Sequence, residues 1–409
     1  MSRALVISVG TGIGEGEEAI QSLSGALVYS INSVNPDKVY FVVSKESAET
    51  TLPVILSKNP LESYEVNEIS SPDDIQSVFR EIRPMMEEIR KKHEYVAVDH
   101  TSGTKAMTSA LAMLGVLYEA NVLCNVVGER RKGLVQRGTE SLRTVQPVFA
   151  IMEKRMQTAI GFFNRCQYDS TLSLLDEIKK ITAERTIIDR VNKLKVASTA
   201  YSTWDRFNHE KALENLVRLK AREFDANKRF LGMLIRTKDE EKARFYIADL
   251  YSNALRRGDI EGKYDDAVAR FYRIIELIAQ DRLKSEYGID TSNVTDDVLP
   301  SKLKSEWESR LENGTLSIGL NDSYRLLSAL GDDLGDFLKR PRIRDLLSKR
   351  NYSILAHGLT PLKYDDYEKL KDETHSIATK HIYDFARLVE DSTHSCIEQF
   401  EFLMREGEE

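Results

Sequence analysis

Cysteine is scarce. Three thiols, Cys124, Cys166 and Cys396, lie far apart in 409 residues, and an odd, scattered set suggests neither a disulfide framework nor a zinc site. Histidine is scarce too, with seven residues in all. His375, His381 and His394 lie near one another, but H-x-E-x-x-H spacing is missing, so they are expected on helix surfaces and no metal ligand set is assigned. No apolar run reaches the roughly 18 residues of a membrane-spanning helix. The chain enters V-I-S-V at once, without a charged region leading to a cleavable apolar segment, so a cytoplasmic protein without a membrane partner is expected. Excess positive charge is also lacking: 58 Lys and Arg against 65 Asp and Glu leave a net charge of −7. A protein that coats nucleic acid through many phosphate contacts needs the opposite sign, so any nucleic-acid site must be local.

What is present is an ordinary globular composition, 41% hydrophobic and 30% charged, in a chain long enough for two or three domains. The run R-A-L-V-I-S-V over 3–9 is apolar, β-branched and closed by glycine, which reads as a buried strand. Further strands are expected at 39–43, 64–69, 95–99, 122–127 and 145–149, separated by helical patterns at 17–31, 72–92 and 104–119. This alternation predicts a doubly wound, Rossmann-like, mainly parallel sheet over residues 1–150. In that architecture ligands bind where loops leave the carboxyl ends of the strands.

Two such loops carry chemistry. G-T-G-I-G-E-G, from Gly10 to Gly16, follows the first strand, and its glycines let backbone N–H groups approach a ligand. It is not a dinucleotide fingerprint, because Glu15 stands where the third glycine belongs. D-H-T-S-G-T-K-A-M, from Asp99 to Met107, follows the fourth strand and opens a helix. Thr101, Ser102 and Thr104 offer hydroxyls, Gly103 an open backbone and Lys105 a charge, all at a helix start where anions are favoured. Gly10, Thr11 and Gly12 would form the opposite wall. Capping accounts for Ser102 and Thr104 taken singly, and turn geometry for Gly103.

From about 151 helices follow one another, which makes the chain α/β followed by all-α. Three stretches, 163–175, 207–216 and 262–271, share an aromatic, a polar turn and a helical start. Their spacing is too irregular for a true repeat array, so they read as stacked helical pairs. A helix over 264–283 has an apolar stripe through Val268, Phe271, Ile275 and Ile278 and is expected to pack on the helix carrying Arg350. The Gly-, Asn-, Asp- and Ser-rich segment 286–323 reads as a surface excursion, and 364–406 as a long amphipathic tail. The expected division is 1–150, a helical linker at 151–255 and a last domain at 256–409.

The stretch K-R-N-Y-S-I-L-A-H-G, 349–358, places Arg350 and His357 seven residues apart in a helical pattern. On a helix they would stand about 10 Å apart along the axis and ~20° apart around it, on one face. Ile343, Leu346, Leu347, Ile354 and Leu355 mark a neighbouring buried face, with Gly358 and Pro361 ending the helix. A guanidinium and an imidazole on one face can meet one phosphate, the first neutralising charge and the second moving a proton, which is the chemistry of RNA cleavage by the ribose hydroxyl. The basic run Lys339, Arg340, Arg342, Arg344, Lys349, Arg350 is a local charge concentration, or equally a solvated face.

R-N-Y-S-I-L-A-H-G resembles the R-N-x-H signature of the HEPN ribonucleases (higher eukaryotes and prokaryotes nucleotide-binding domains), with six residues between Arg350 and His357 at the long end of the family's spacing. Strand-G-T-G followed by strand-D-H-T-S-G-T-K-A-M resembles the CRISPR-associated Rossmann fold, or CARF, whose members bind cyclic oligoadenylates. Together, in this order, they resemble the ancillary ribonucleases of type III CRISPR systems. The resemblance implies a homodimeric, metal-independent endoribonuclease in antiviral defence, acting on single-stranded RNA and activated by cyclic tetra- or hexa-adenylate, without another cofactor. It also implies roles: His357 as general acid or base, Arg350 on the scissile phosphate, and Asn351 orienting one of them. Some relatives cleave their activator. Thr11, Ser102 and Lys105 offer groups for that, and the same groups suffice for binding alone. The alternative is a ligand-sensing adaptor or regulator whose HEPN-like helices are an inert scaffold.

Overall fold

The structure, a computed structural model, describes residues 2–12, 16–131, 134–182 and 184–397. Ile13, Gly14 and Glu15 of the glycine loop lie outside the described residues, as does the tail beyond 397. The chain forms two compact units, Met1–Met156 and Gln157–Glu409.

The first unit is the expected Rossmann-like α/β layer. Strands β1 (Arg3–Val9), β2 (Lys38–Ser44), β3 (Tyr64–Ile69), β4 (Tyr95–Asp99) and β5 (Val122–Val127) alternate with helices α1 (Glu17–Val34), α2 (Lys45–Lys58), α3 (Ile75–Lys92) and α4 (Lys105–Leu117). After a short pair, β6 (Arg130–Arg131) with β7 (Leu134–Val135), comes β8 (Ser141–Val145). The sheet order is β3-β2-β1-β4-β5-β8, parallel throughout except that β8 runs antiparallel to β5. Side chains alternate along β1: Leu5, Ile7 and Val9 join a core with Leu27, Ile31 and Ile55, and Ala4 and Val6 join one with Val78, Ile82 and Leu111. Helices therefore cover both faces, as the period of two requires. One expected strand is displaced. The sheet uses Ser141–Val145 instead of 145–149, and Val148 already begins the next helix, because Pro147 cannot donate to a ladder but is tolerated at a helix start.

The second unit is helical. After α5 (Val148–Asn164), which carries the boundary between the units, come α6 (Tyr168–Ile181), α7 (Arg185–Asp205), α8 (His209–Leu216), α9 (Asp225–Arg236), α10 (Ala243–Leu255) and α11 (Tyr264–Tyr287). These are followed by α12 (Ser301–Trp307), α13 (Leu320–Ala329), α14 (Pro341–Asn351), α15 (Tyr364–His381) and α16 (Phe385–Ser392). The three similar stretches share one joint. Cys166, Phe207 and Gly262 each take positive φ, and the next residue (Gln167, Asn208, Lys263) has nearly the same backbone before its helix starts. The N–H groups of Gln167 and Asn208 reach back to the carbonyls of Phe162 and Thr203, the bond that closes a helix around a left-handed residue. Between α10 and α11 the chain passes without a break into a π-helical turn, Arg256–Ile260.

Segment 286–323 is not a surface excursion. Ile289, Val294, Leu299, Leu303, Trp307 and Leu316 are buried, Val294–Thr295 pairs with Thr315–Leu316, and Asn313 and Gly314, both at positive φ, make the tight turn of a separate Glu312–Thr315 bridge. An Asn-Gly pair is a strong hairpin signal; here it is embedded in polar turn residues that hide sparse core positions. His394 is no surface residue either. It stacks on Tyr201 with ring centroids 4.2 Å apart and bonds the Tyr168 hydroxyl at 2.7 Å. Burial, with Arg256 and Arg257 nearby, holds its pKa well below the usual histidine range. Among the described residues no helix is long and apolar enough to cross a membrane.

Candidate active site and ligand cleft

The neighbours of β1 are β2 and β4, so the loops leaving β1 and β4 meet at the point where the strand order reverses, where such sheets bind ligands. They touch backbone to backbone. A Cβ on Gly10 would fall 2.8 Å from the Gly103 nitrogen, and Gly103 itself sits at φ +119°, so side chains are excluded from both positions. The Gly10 N–H donates to Ser102 Oγ at 3.1 Å, and Ser102 Oγ donates to the Ser8 carbonyl at 3.0 Å. Ser8 in turn donates to the Ser102 carbonyl. Thr104 caps α4, accepting from the Met107 N–H at 3.1 Å and donating to the Pro72 carbonyl. Thr101 Oγ1 accepts from Val126 N–H at 2.8 Å. Beneath them, the buried Asp99 carboxylate accepts from the Thr101 N–H at 2.6 Å and from Ser30. Burial raises its pKa, and these bonds oppose the rise.

The loops frame a cleft of about 490 Å³, lined by Gly10, Thr11, Gly12, Thr101, Ser102, Gly103 and Thr104. Seven of the eight residues singled out for this site are thus brought together. Their hydroxyls are mostly committed: Ser102 and Thr104 hold the loop, as capping and turn chemistry alone would have them do. Lys105, the first residue of α4, is exposed and is not among the lining residues. Lys45 and Arg130 line the cleft instead, along with the acids Glu46 and Asp73. Lys45 opens α2 directly after β2, so the rule that singled out the other two loops also points to it. Arg130 lies in a short strand past β5, where sequence periodicity gives no signal.

In the second unit, α14 ends at Asn351. Arg350 and His357 are therefore not two turns apart on one helix, and Ile354 and Leu355, placed on a buried face by periodicity, are exposed. The chain turns instead about the buried Ser353. The Ser353 carbonyl accepts N–H groups from Ala356 at 3.0 Å and Gly358 at 3.2 Å, and the Asn351 carbonyl accepts from the His357 N–H at 3.1 Å. Gly358 permits this closure, since a Cβ there would stand 2.0 Å from the Tyr352 carbonyl oxygen. The run S-I-L-A is compatible with helix by propensity, so the turn has no local signal except that glycine.

The turn still gathers the three predicted residues. His357 is exposed, and its backbone is bonded to that of Asn351. Asn351 Oδ1 accepts from Arg350 Nη1 at 3.3 Å. The Arg350 guanidinium lies over the ring of Tyr272 on α11, 4.1 Å from its centroid. The α11 stripe Val268, Phe271, Ile275 and Ile278 is buried, and α11 packs on α14 as expected. Most of the basic run is neutralised: Lys339 pairs with Asp336, Arg340 and Arg342 with Glu373, and Lys349 with Asp345 and Asp366. The solvated-face account therefore covers most of the run.

A Rossmann-like unit with a nucleotide-sized cleft, followed by a helical unit with an Arg-Asn-His turn, is the architecture of a CARF–HEPN protein. The family model of the Csm6 6H domain matches residues 152–243, and that of the Csm6 HEPN domain matches residues 235–380. In tandem these cover more than half of the chain, which belongs to the Csm6 family of CARF–HEPN CRISPR effectors. Among solved structures, Enterococcus italicus Csm6 bound to cyclic hexa-2′-fluoro-hexa-dAMP is similar in fold. Its TM-score is 0.59 at 13% identity, over 96% of this chain and 98% of that one. No curated protein sequence matches.

Proposed function

We propose that this chain is a metal-independent endoribonuclease that cuts single-stranded RNA through the ribose 2′-hydroxyl and is switched on by cyclic tetra- or hexa-adenylate. It acts in the cytoplasm, in type III CRISPR antiviral defence. The observation that carries this reading is the turn that joins Arg350, Asn351 and His357 by hydrogen bonds and leaves the imidazole open to solvent. Attack of the 2′-oxygen on the adjacent phosphorus needs a proton taken from the nucleophile, a proton given to the leaving 5′-oxygen, and donors for the added negative charge. His357 moves a proton, Arg350 holds the phosphate, and Asn351 fixes the Arg350 fork.

One such set is small for the task, and a homodimer supplies two. Tyr352, Ile354, Leu355 and Leu359, in and beside the turn, are exposed, Leu359 by 90%, and an apolar patch of this kind supports an isologous contact there. Residues 1–150 sense the activator, 151–255 link, and 256–409 cut. The cleft binds the ring, the ligand class that the solved relative carries. Activation is the coupling free energy between ring binding and the dimer geometry in which two catalytic sets converge. The cleft binds its ring without cutting it, because Ser102 is committed to the loop and Lys105 does not line the cleft. Mass spectrometry of RNA cut in the presence of a chelator is expected to find 2′,3′-cyclic phosphate and 5′-hydroxyl ends. Ends bearing a 5′-phosphate, or cleavage only with added divalent ion, would contradict the mechanism.

A further inference from the structure

We infer that Tyr272 is a positioning residue for RNA cleavage, its ring face being the floor that orients the Arg350 guanidinium toward the scissile phosphate. The inference rests on the ribonuclease reading above and names how its central cation is held. Arg350 has no carboxylate partner among the described residues. Its one side-chain hydrogen bond runs from Nη1 to Asn351 Oδ1 at a long 3.3 Å, and its Nε is buried without a hydrogen-bond partner. Its other contact is with the Tyr272 ring, over which the guanidinium carbon Cζ stands 4.1 Å from the centroid.

The contrast with its neighbours is chemical. Lys339, Arg340, Arg342 and Lys349, on the same stretch, all meet Asp or Glu. A carboxylate beside Arg350 would fix the side chain but cancel the charge it offers to phosphate. An aromatic face attracts the cation through its quadrupole, adds no net charge, and leaves the in-plane N–H edge of the fork free for a bidentate phosphate contact. Tyr272 suits that role. It is half-buried on α11, and burial pushes its hydroxyl pKa up against the opposing pull of Arg350, so the ring stays neutral. It stands next to Phe271 and off the buried stripe, where sequence periodicity marks it only as a flank.

The test replaces Tyr272 with Phe, with phenylalanines carrying one, two and three fluorines, and with Leu, in the full-length protein saturated with cyclic oligoadenylate. Tyr272→Phe keeps kcat within about twofold, because the ring face remains. Tyr272→Leu lowers kcat by about 10- to 100-fold, the scale of a misplaced catalytic group, with a smaller change in KM and unchanged ring affinity. Along the fluorine series shape and burial are nearly constant while the ring quadrupole weakens, so kcat falls stepwise. A flat fluorine series overturns the inference, even if the Leu variant loses its fold. Arg350→Ala separates the two levels. If it still cuts, the ribonuclease reading has failed and takes this inference with it; if it is dead while the fluorine series is flat, only the role of Tyr272 has failed.

Discussion

Alanine at His357 or at Arg350 is expected to lower RNA cleavage by about 10²- to 10⁴-fold, the usual cost of a positioned acid–base or charge-stabilising group. Affinity for the cyclic oligoadenylate should stay unchanged, because the cleft belongs to the other unit. Neither substitution is expected to threaten the fold. His357 is exposed and bonds its turn through the backbone N–H, which alanine keeps, while Arg350 loses only a ring contact and one long hydrogen bond. Cleavage near the wild-type rate by either variant, in preparations freed of contaminating nuclease, would mean that the chemistry lies elsewhere.

Alanine at Arg130 or Lys45 is expected to weaken binding of the cyclic oligoadenylate by about 10- to 100-fold each. A charge-assisted hydrogen bond is worth about 1.5–3 kcal/mol, and about 1.4 kcal/mol is tenfold in affinity. Both side chains line the cleft, and neither makes an ion pair among the described residues. Lys105→Ala should weaken binding less, since an exposed cation outside the lining acts only through screened, longer-range charge. Calorimetric titration of the three variants distinguishes these sizes. Unchanged affinity in all three would remove the cleft as the activator site, and a dominant effect at Lys105 would show that the ring reaches beyond the cleft.

The layered sheet was legible because β-branched runs bounded by glycine and the alternation with amphipathic helices are local signals, and five of the six expected strands stand where they were read. The cleft was legible for a topological reason: loops at the carboxyl ends of neighbouring parallel strands must converge. The division of labour inside it was not, because whether Ser102 faces a ligand or the Ser8 carbonyl depends on a contact across 94 residues of sequence. The R-N…H letters of Arg350, Asn351 and His357 are legible in the sequence, but the backbone that carries them is not. A helix through His357 fits the apolar spacing, whereas the chain turns at Ser353 and closes through Gly358. Tyr272 escaped for the same reason as Ser102. Its significance is a tertiary contact 78 residues from Arg350, and no spacing rule reaches that far.

The central claim, that a cyclic oligoadenylate bound by this chain turns on a ribonuclease, is tested most directly by the rate at which a labelled single-stranded RNA is cut in excess chelator. The rate is measured with no ligand, with cyclic tetra-adenylate and with cyclic hexa-adenylate. The account predicts a slow rate without ligand and a large rise, saturable in ligand, with one of the two rings, lost in the His357→Ala protein. A rate indifferent to both rings, or one that appears only when a divalent ion is restored, would contradict it.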